Sequence, residues 1–563
     1  MVRQLIGSIT AKWRNHMFWK HENNETSFMT EKEFRGYMND YDVEPDPPAF
    51  TVKDGMSEEF ITDDAHYSKN IILSQNFRRP INSKKLIGNN NVLIVGGPGT
   101  GKTSTVIKPN ILQMNSSYVI DAGTGAEYLG SLGKTLYEHG YKIKVLNFMD
   151  PDNSCCYNPF NYLKNEDDVL RLVQCFIDNT IKSKGGGDNQ FFVDAEKLLY
   201  SACIFYLRDF CQNDMYKNFA GVMSMINSSS VNENDPSAKS PLDELFDKLP
   251  KSSLAWRYYK AFKQASGKTL KSIIISCLTR LQLMLTPGLQ KIMSTDEIDM
   301  VDIGQRKTAL FIVRNDDDDV SGVVSSILYK QLLSVLYESG EKAHSLGKSI
   351  QLPVHVCLIT DNTLPGIYEY PSWLSTMRKY NISAMITVQN ISQLEKKYGE
   401  NWKTLVGNCS TIVFLGTRSS GTAKYFSGLL KRRKSIKTQS KNQDFMTSEE
   451  IMAMDPSECI VFSQNTNPFK DKKYIYEDHP FYPETADCDP NNAFYFIRSN
   501  LSNDNKYAFK SLELNLLPKS IHYFTDKENF VISMIKNGDL SAEKGAFYLK
   551  INLSEMKHLL EIN

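Results

Sequence analysis

Short apolar runs alternate along much of this chain with stretches whose apolar positions recur every three or four residues. Runs of the first kind read as buried strands, and stretches of the second kind as amphipathic helices. A strand is predicted at residues 70–74. A loop through Arg78, Arg79 and Pro80 leads to a second strand at Val92-Leu-Ile-Val95. Further strands are predicted at 117–121 and 141–146, with a helix over 132–139 between them. Strands alternating with helices argue a parallel, doubly wound sheet.

The pattern then changes. From about residue 166 to residue 299, apolar residues fall at helical spacing over 167–181, 193–210, 253–264 and 269–283. Gly185-Gly186-Gly187 and the polar run 227–240 separate them as loops. An all-α insertion in the sheet domain is the expectation. Strand-like 308–313 marks the return to the sheet. An amphipathic helix at 321–337 follows, then buried strands at 354–359, 382–388 and 411–415. The polar, basic stretch 431–445 reads as a surface loop. Polar residues 1–68, with Asp46-Pro47-Pro48, read as an N-terminal segment of short helices and loops. Residues 485–563 read as a C-terminal appendage with a helix over about 527–536. The expected organisation is therefore 1–68, a first nucleotide-domain part at 69–165, the all-α part at 166–300, a second nucleotide-domain part at 301–484, and 485–563. No internal repeat is visible.

Composition narrows the class. The chain has 563 residues, 41% hydrophobic and 23% charged, with a formal net charge of +0. No global field draws it to nucleic acid, so any DNA contact must come from local patches. The 10 cysteines are scattered, with no Cys-x-x-Cys and no accompanying histidine cluster. Reduced, buried thiols in a cytosolic protein are expected rather than a zinc site or a disulfide framework. No window approaches about 18 consecutive apolar residues, so no transmembrane helix is predicted. The N-terminal 24 residues lack a sustained apolar run, which argues against a signal peptide. They read as a weakly amphipathic helix touching a membrane or partner, or as a plain solvated helix.

The densest chemistry lies directly after the second strand. After that strand, Gly96, Gly97, Pro98, Gly99, Thr100, Gly101, Lys102, Thr103 and Ser104 make a glycine-rich loop and helix start. Glycines let backbone N–H groups turn inward around phosphates. Lys102 can reach the β- and γ-phosphate oxygens, and Thr103 can offer its hydroxyl to Mg²⁺. The helix N-terminus adds its positive dipole end. A P-loop site for ATP and Mg²⁺ follows.

Other candidates are placed by strand ends. Asp361 ends a strand, where an acidic residue completes a Mg²⁺ shell; capping a loop is its alternative. The next residue is Asn362, whose amide can hydrogen-bond a water but cannot take its proton. Glu369 is the nearest downstream carboxylate. Gln389 follows another buried strand and could read the γ-phosphate, or be a satisfied strand-end amide. Asp121 ends a strand close in sequence to the P-loop and could face the phosphates. Arg418 lies after a strand, where it could meet a neighbouring subunit's γ-phosphate. Lys431-Arg432-Arg433-Lys434, with Lys437 and Lys441, could contact a phosphate backbone or be a solvated loop.

Over residues 28–480 the chain resembles the TraG-like coupling proteins of conjugative type IV secretion, especially those of Gram-positive mobile elements. Residues 70–78, Lys108-Pro109-Asn110, 139–147, 156–160, 265–269, 352–356, 376–383, 388–394, 406–409 and 414–416 carry the resemblance in order. It implies a RecA-like nucleotide-binding domain with an all-α domain beside the DNA entrance. It also implies a hexameric ring at the inner face of the cytoplasmic membrane, which recruits a relaxase–DNA complex and passes single-stranded DNA to the channel. On this resemblance Lys102 and Thr103 fall on the Walker A positions, Asp361 on the Walker B aspartate and Gln389 on the motif glutamine.

Three departures stand out. The Walker B glutamate is Asn362. The Asp-Pro-Lys-Gly-Glu after the second strand is Asp121-Ala122-Gly123-Thr124-Gly125. The transmembrane helices that begin most relatives are not seen. Loss of a positioned base costs roughly 10²–10⁴-fold in rate, so ATP binding with slow or conditional hydrolysis is expected. Three readings stay open: a DNA-stimulated coupling ATPase held at the membrane by a partner protein, a hydrolysis-deficient relative acting as adaptor or ring subunit, and another RecA-like motor such as a chromosome-segregation translocase.

Overall fold

The computed structural model describes residues 28–40, 69–81, 88–123, 125–180, 188–229, 239–265, 267–315, 319–362, 367, 369–430, 432–433, 443–498 and parts of 531–556. The expectations for residues 1–27, Asp46-Pro47-Pro48, Gly185-Gly186-Gly187, Lys431, Lys434, Lys437, Lys441 and most of the 527–536 helix lie outside them. The chain divides into two compact units. One comprises Met1–Tyr157 with Thr295–Asn503, the other Asn158–Ser294 with Asp504–Asn563.

The strands of the first unit are β1 (Asn70–Ile72), β2 (Arg78–Pro80), β3 (Val92–Val95), β4 (Ser117–Ala122), β5 (Lys142–Asn147), β6 (Thr308–Val313) and β7 (Val356–Asp361). They continue with β8 (Ile382–Val388), β9 (Thr411–Phe414), β10 (Arg432–Arg433), β11 (Gln443–Asp444), β12 (Glu458–Ser463) and β13 (Phe469–Lys472). Among the described residues nine of them form one sheet in the order β13-β12-β9-β3-β8-β7-β4-β6-β5. Seven run parallel, and β12 and β13 add antiparallel at one edge. Strands β3, β4, β6, β7, β8 and β9 are buried at every residue. Burial on both faces is why they appear in the sequence as unbroken apolar runs. The antiparallel pair β12–β13 lies outside the strands predicted from the sequence. Within the basic stretch expected as a loop, Arg432 pairs with Asp444 and Arg433 with Gln443 as two short antiparallel strands.

Two elements brace the sheet domain. The β1–β2 pair is tied to the helix after the P-loop by Asn110, whose Oδ1 accepts from Ile72 N at 2.8 Å. Its Nδ2 donates to the Ile72 carbonyl at 2.8 Å. This gives the Lys-Pro-Asn motif a structural meaning. Residues 485–498 run along the Gly125–Glu138 helix: Ala486 N donates to Ser131 O and Phe494 N to Gly130 O. A Cβ at Gly133 would lie 2.7 Å from the Phe494 ring, so only glycine admits this approach. One helix among the described residues, Val320–Ser345, has the length and apolarity to cross a membrane, and 72% of that window is buried inside the protein. Its Val324, Leu328, Leu332 and Leu336 are fully buried core residues.

The second unit is helical: Glu166–Thr180, Asp188–Asp209, Phe219–Asn227, Pro241–Asp247, Leu254–Phe262, Gly267–Gln282 and Pro287–Ile292. Four of these cover the predicted helical stretches. The Asp188–Asp209 and Gly267–Gln282 helices are joined by an ion pair between the half-buried Arg280 and the buried Glu196 at 2.9 Å. Phe246 stacks on Tyr259 at 4.1 Å.

His355, just before β7, is buried; its Nδ1 meets Ser116 Oγ at 2.7 Å, and its Nε2 has no hydrogen-bond partner. Burial holds this imidazole neutral, with its pKa down at about 4. The unfolded chain binds a proton near 6.5 that the folded chain refuses, so stability falls as pH drops from 6.5 towards 4. About 3 kcal/mol is lost over that window. His355→Gln is expected to flatten this acid slope of the urea midpoint between pH 7 and pH 5. An unchanged slope would assign it to other groups.

Candidate nucleotide site

The site lies at the carboxyl edge of the parallel strands, where open α/β sheets place their ligands. There β3 ends between β8 and β9, with Val95 opposite Val388 and Phe414. The chain leaves β3 through Gly96–Gly101. Gly99 and Gly101 have positive φ, 71° and 85°. A Cβ on Gly101 would also come within 2.8 Å of Thr105 Oγ1. The loop is anchored on both sides: Gly96 N donates to Val388 O at 3.1 Å, and Gly97 N to Gly416 O at 3.0 Å.

The following helix begins at Lys102 with a wide π-type turn, Lys102–Ile107, and continues as Lys108–Leu112. No side chain caps its first turn. Its N-terminal N–H groups and dipole are thus directed into the loop, as an anion site requires. Lys102 is buried, and its Nζ donates to the carbonyls of Gly96 at 2.9 Å and Gly97 at 3.2 Å. Burial lowers its pKa, and the neighbouring Asp361 carboxylate partly offsets this.

Asp361 ends β7, one strand removed from β3 across β8. Its Oδ2 lies 3.4 Å from Thr103 Oγ1, so the structure brings together the two residues expected at the metal. Three donors fix the carboxylate: Thr387 Oγ1 at 2.5 Å and Asn362 Nδ2 at 3.1 Å on Oδ1, and Tyr128 OH at 2.6 Å on Oδ2. Asn362 sits in the left-handed region at φ 57° and its Oδ1 is buried without a partner. That orphaned oxygen, the glycine cradle and the uncapped helix fit a nucleotide with one hard cation. Mg²⁺ is commonly held by one or two carboxylates, with the substrate's phosphates and water completing its shell.

Gln389 follows β8 directly. Its backbone N–H donates to Gln393 Oε1 at 2.8 Å, and its neighbour Asn390 caps the Ile391–Tyr398 helix. The Val388 carbonyl that holds Gly96 belongs to the peptide that joins Val388 to Gln389. Arg418 is exposed after β9. Glu369 instead faces Lys330 at 3.7 Å. Asp121 is displaced from the site by strand parity. Ala122 pairs with Asp361 whereas Asp121 pairs with Thr360, so the two carboxylates point to opposite faces of the sheet. Asp121 is buried against Arg314, Nε to Oδ1 at 2.8 Å.

Three residues of the site carry no signal in the sequence reading. Thr387 is hidden in an apolar strand and Tyr128 in an ordinary helix. Lys473, just after β13, donates from Nζ to the Thr100 carbonyl at 2.9 Å, and burial lowers its pKa. It braces the loop from outside.

The sequence profile of the type IV secretory system conjugative DNA transfer family matches residues 50–494. The chain belongs to this family. Similar solved structures are three forms of the plasmid coupling protein TrwB. The complex with a non-hydrolysable GTP analogue is 15% identical with a TM-score of 0.50, covering 77% of this chain and 97% of that one. The complex with ADP and Mg²⁺ is 15% identical at TM-score 0.51, covering 77% and 95%. The unbound monoclinic form is 17% identical at TM-score 0.51, covering 77% and 95%. At that identity the likeness shows the fold, a RecA-like P-loop domain with a mostly parallel sheet. Curated protein sequences contain no match. In this conjugative DNA-transfer protein, then, the nucleotide-binding fold is present, and the residue that follows Asp361 is Asn362.

Proposed function

We propose that this chain is a coupling-protein ATPase that binds ATP, Mg²⁺ and single-stranded DNA, and delivers a relaxase–DNA substrate to the transfer channel. In this reading it acts as a homo-hexamer at the inner face of the cytoplasmic membrane, held there by secretion components or a separate anchor. The observation that carries it is the convergence of Lys102, Thr103 and Asp361 at one strand edge, with Thr103 and Asp361 oxygens 3.4 Å apart. The family assignment and the ADP–Mg²⁺ complex of TrwB support it.

In this reading the backbone of Gly96–Gly101 and Lys102 bind the β- and γ-phosphates. Thr103 and Asp361 would hold Mg²⁺, which when bound neutralises charge on the phosphates. Thr387, Asn362 and Tyr128 hold the Asp361 carboxylate in one orientation. Gln389 reads the γ-phosphate and passes its state on through β8. Arg418 serves a neighbouring subunit's site. Pore loops hold DNA by its phosphates without reading sequence.

A second reading rests on Asn362. Its amide donates to Asp361, and no carboxylate stands in its place to take a proton from water. A hydrolysis-deficient adaptor or ring subunit would look like this. Steady-state ATP hydrolysis with and without single-stranded DNA, beside direct ATP binding, separates the readings. DNA-stimulated turnover is expected for the coupling ATPase. Binding without turnover selects the adaptor. Absence of both binding and turnover would overturn both.

A further inference from the structure

Tyr128 lies on the Gly125–Glu138 helix and is fully buried. Its hydroxyl oxygen is 2.6 Å from Asp361 Oδ2 and 3.3 Å from Thr103 Oγ1, and those two are 3.4 Å apart. Three oxygens thus form a closed triangle at the junction of the P-loop helix and β7. We infer that Tyr128 is a positioning residue for the divalent cation, setting the direction in which the Thr103 hydroxyl presents its lone pairs. This inference rests on the nucleotide reading above.

The argument is a proton count. A carboxylate only accepts, and the tyrosine and threonine hydroxyls bring one proton each. The short contact assigns the Tyr128 proton to Asp361 Oδ2. On Oδ1, Thr387 and Asn362 already donate. Within the triangle the Thr103 proton has Asp361 Oδ2 as its acceptor, 3.4 Å away, so the orientation of that carboxylate decides where the proton lies. With its proton held there, the Thr103 oxygen keeps its lone pairs for a cation. A hydroxyl can bind a cation only through a lone pair, so fixing the proton prepares the ligand. The same tyrosine stops the carboxylate turning about its Cβ–Cγ bond. Partners that orient a metal's ligands in this way typically contribute 10–100-fold to metal affinity.

Tyr128→Phe removes the hydroxyl and keeps the ring. The test is ATP binding to the full-length chain, titrated once with MgCl₂ and once in EDTA. About tenfold more Mg²⁺ is expected for half-maximal enhancement of ATP binding, in keeping with the loss of one such partner. ATP affinity in EDTA is expected to stay within about twofold, because phosphate contacts come from the loop and Lys102. Unchanged Mg²⁺ dependence would overturn the inference. Equal weakening with and without Mg²⁺ would also overturn it, since a purely structural hydroxyl predicts that result. If the wild-type chain binds ATP under neither condition, the nucleotide reading itself fails, which is a separate result.

Discussion

Lys102→Ala is expected to weaken MgATP binding about 10–100-fold, the usual cost of losing a hydrogen bond to a charged group. Turnover, where present, should fall to background. The ammonium lies against the Gly96 and Gly97 carbonyls, within the loop that would wrap the phosphates. Removing a buried ammonium costs the fold little, because its desolvation disappears with it. Loss of binding should therefore come without loss of the thermal transition. Lys102→Arg should not rescue, since a planar guanidinium is a poor substitute for a compact point charge in so tight a loop. Burial, the larger influence on Lys102, lowers its pKa. Its charge is therefore lost on raising the pH sooner than that of an exposed lysine, and ATP affinity should fall in the same direction. Unchanged affinity in Lys102→Ala, measured by calorimetry, would remove this loop from the nucleotide site.

Arg314→Met is expected to destabilise the sheet unit by about 3–5 kcal/mol, because it takes the paired guanidinium away from the buried Asp121 carboxylate. The Arg314 and Asp121 side chains are 9% and 1% exposed, and their contact is 2.8 Å. Replacing both, Asp121→Leu with Arg314→Met, should cost far less than the sum of the single changes. Urea unfolding midpoints of the four proteins measure the coupling. A phosphate-facing Asp121 makes the opposite prediction: weaker MgATP binding in Asp121→Asn with little change in the midpoint.

These expectations show which parts of the protein are local. The P-loop was legible because its chemistry is contiguous. Residues 95–103 follow one another directly and supply the strand end, the positive-φ glycines, the lysine and the hydroxyl, so spacing alone carries the site. The buried parallel strands were legible because burial on both faces leaves continuous apolar runs. The helices of the second unit were legible through their period, although the short ones at Phe219–Asn227, Pro241–Asp247 and Pro287–Ile292 were too brief to show it. The edge strand β13, Phe469–Lys472, alternates only weakly, with one buried residue, and gave no comparable signal.

The rest of the site depended on register and packing. Asp121 and Asp361 look alike in the sequence, each closing an apolar strand. Pairing shifts them by one residue relative to each other, and a strand's period of two then sends their side chains to opposite faces. Thr387 reaches Asp361 because β8 places it directly opposite, on the same face. Tyr128 and Lys473 arrive from a helix and an edge loop that only the assembled sheet brings to the P-loop. The sequence by itself determined the phosphate cradle and the buried parallel strands, because each rests on contiguous residues, and the family resemblance, because its short motifs keep their order. Tertiary structure alone decided which carboxylate meets Thr103 and what holds it there, because those contacts join residues up to 258 positions apart.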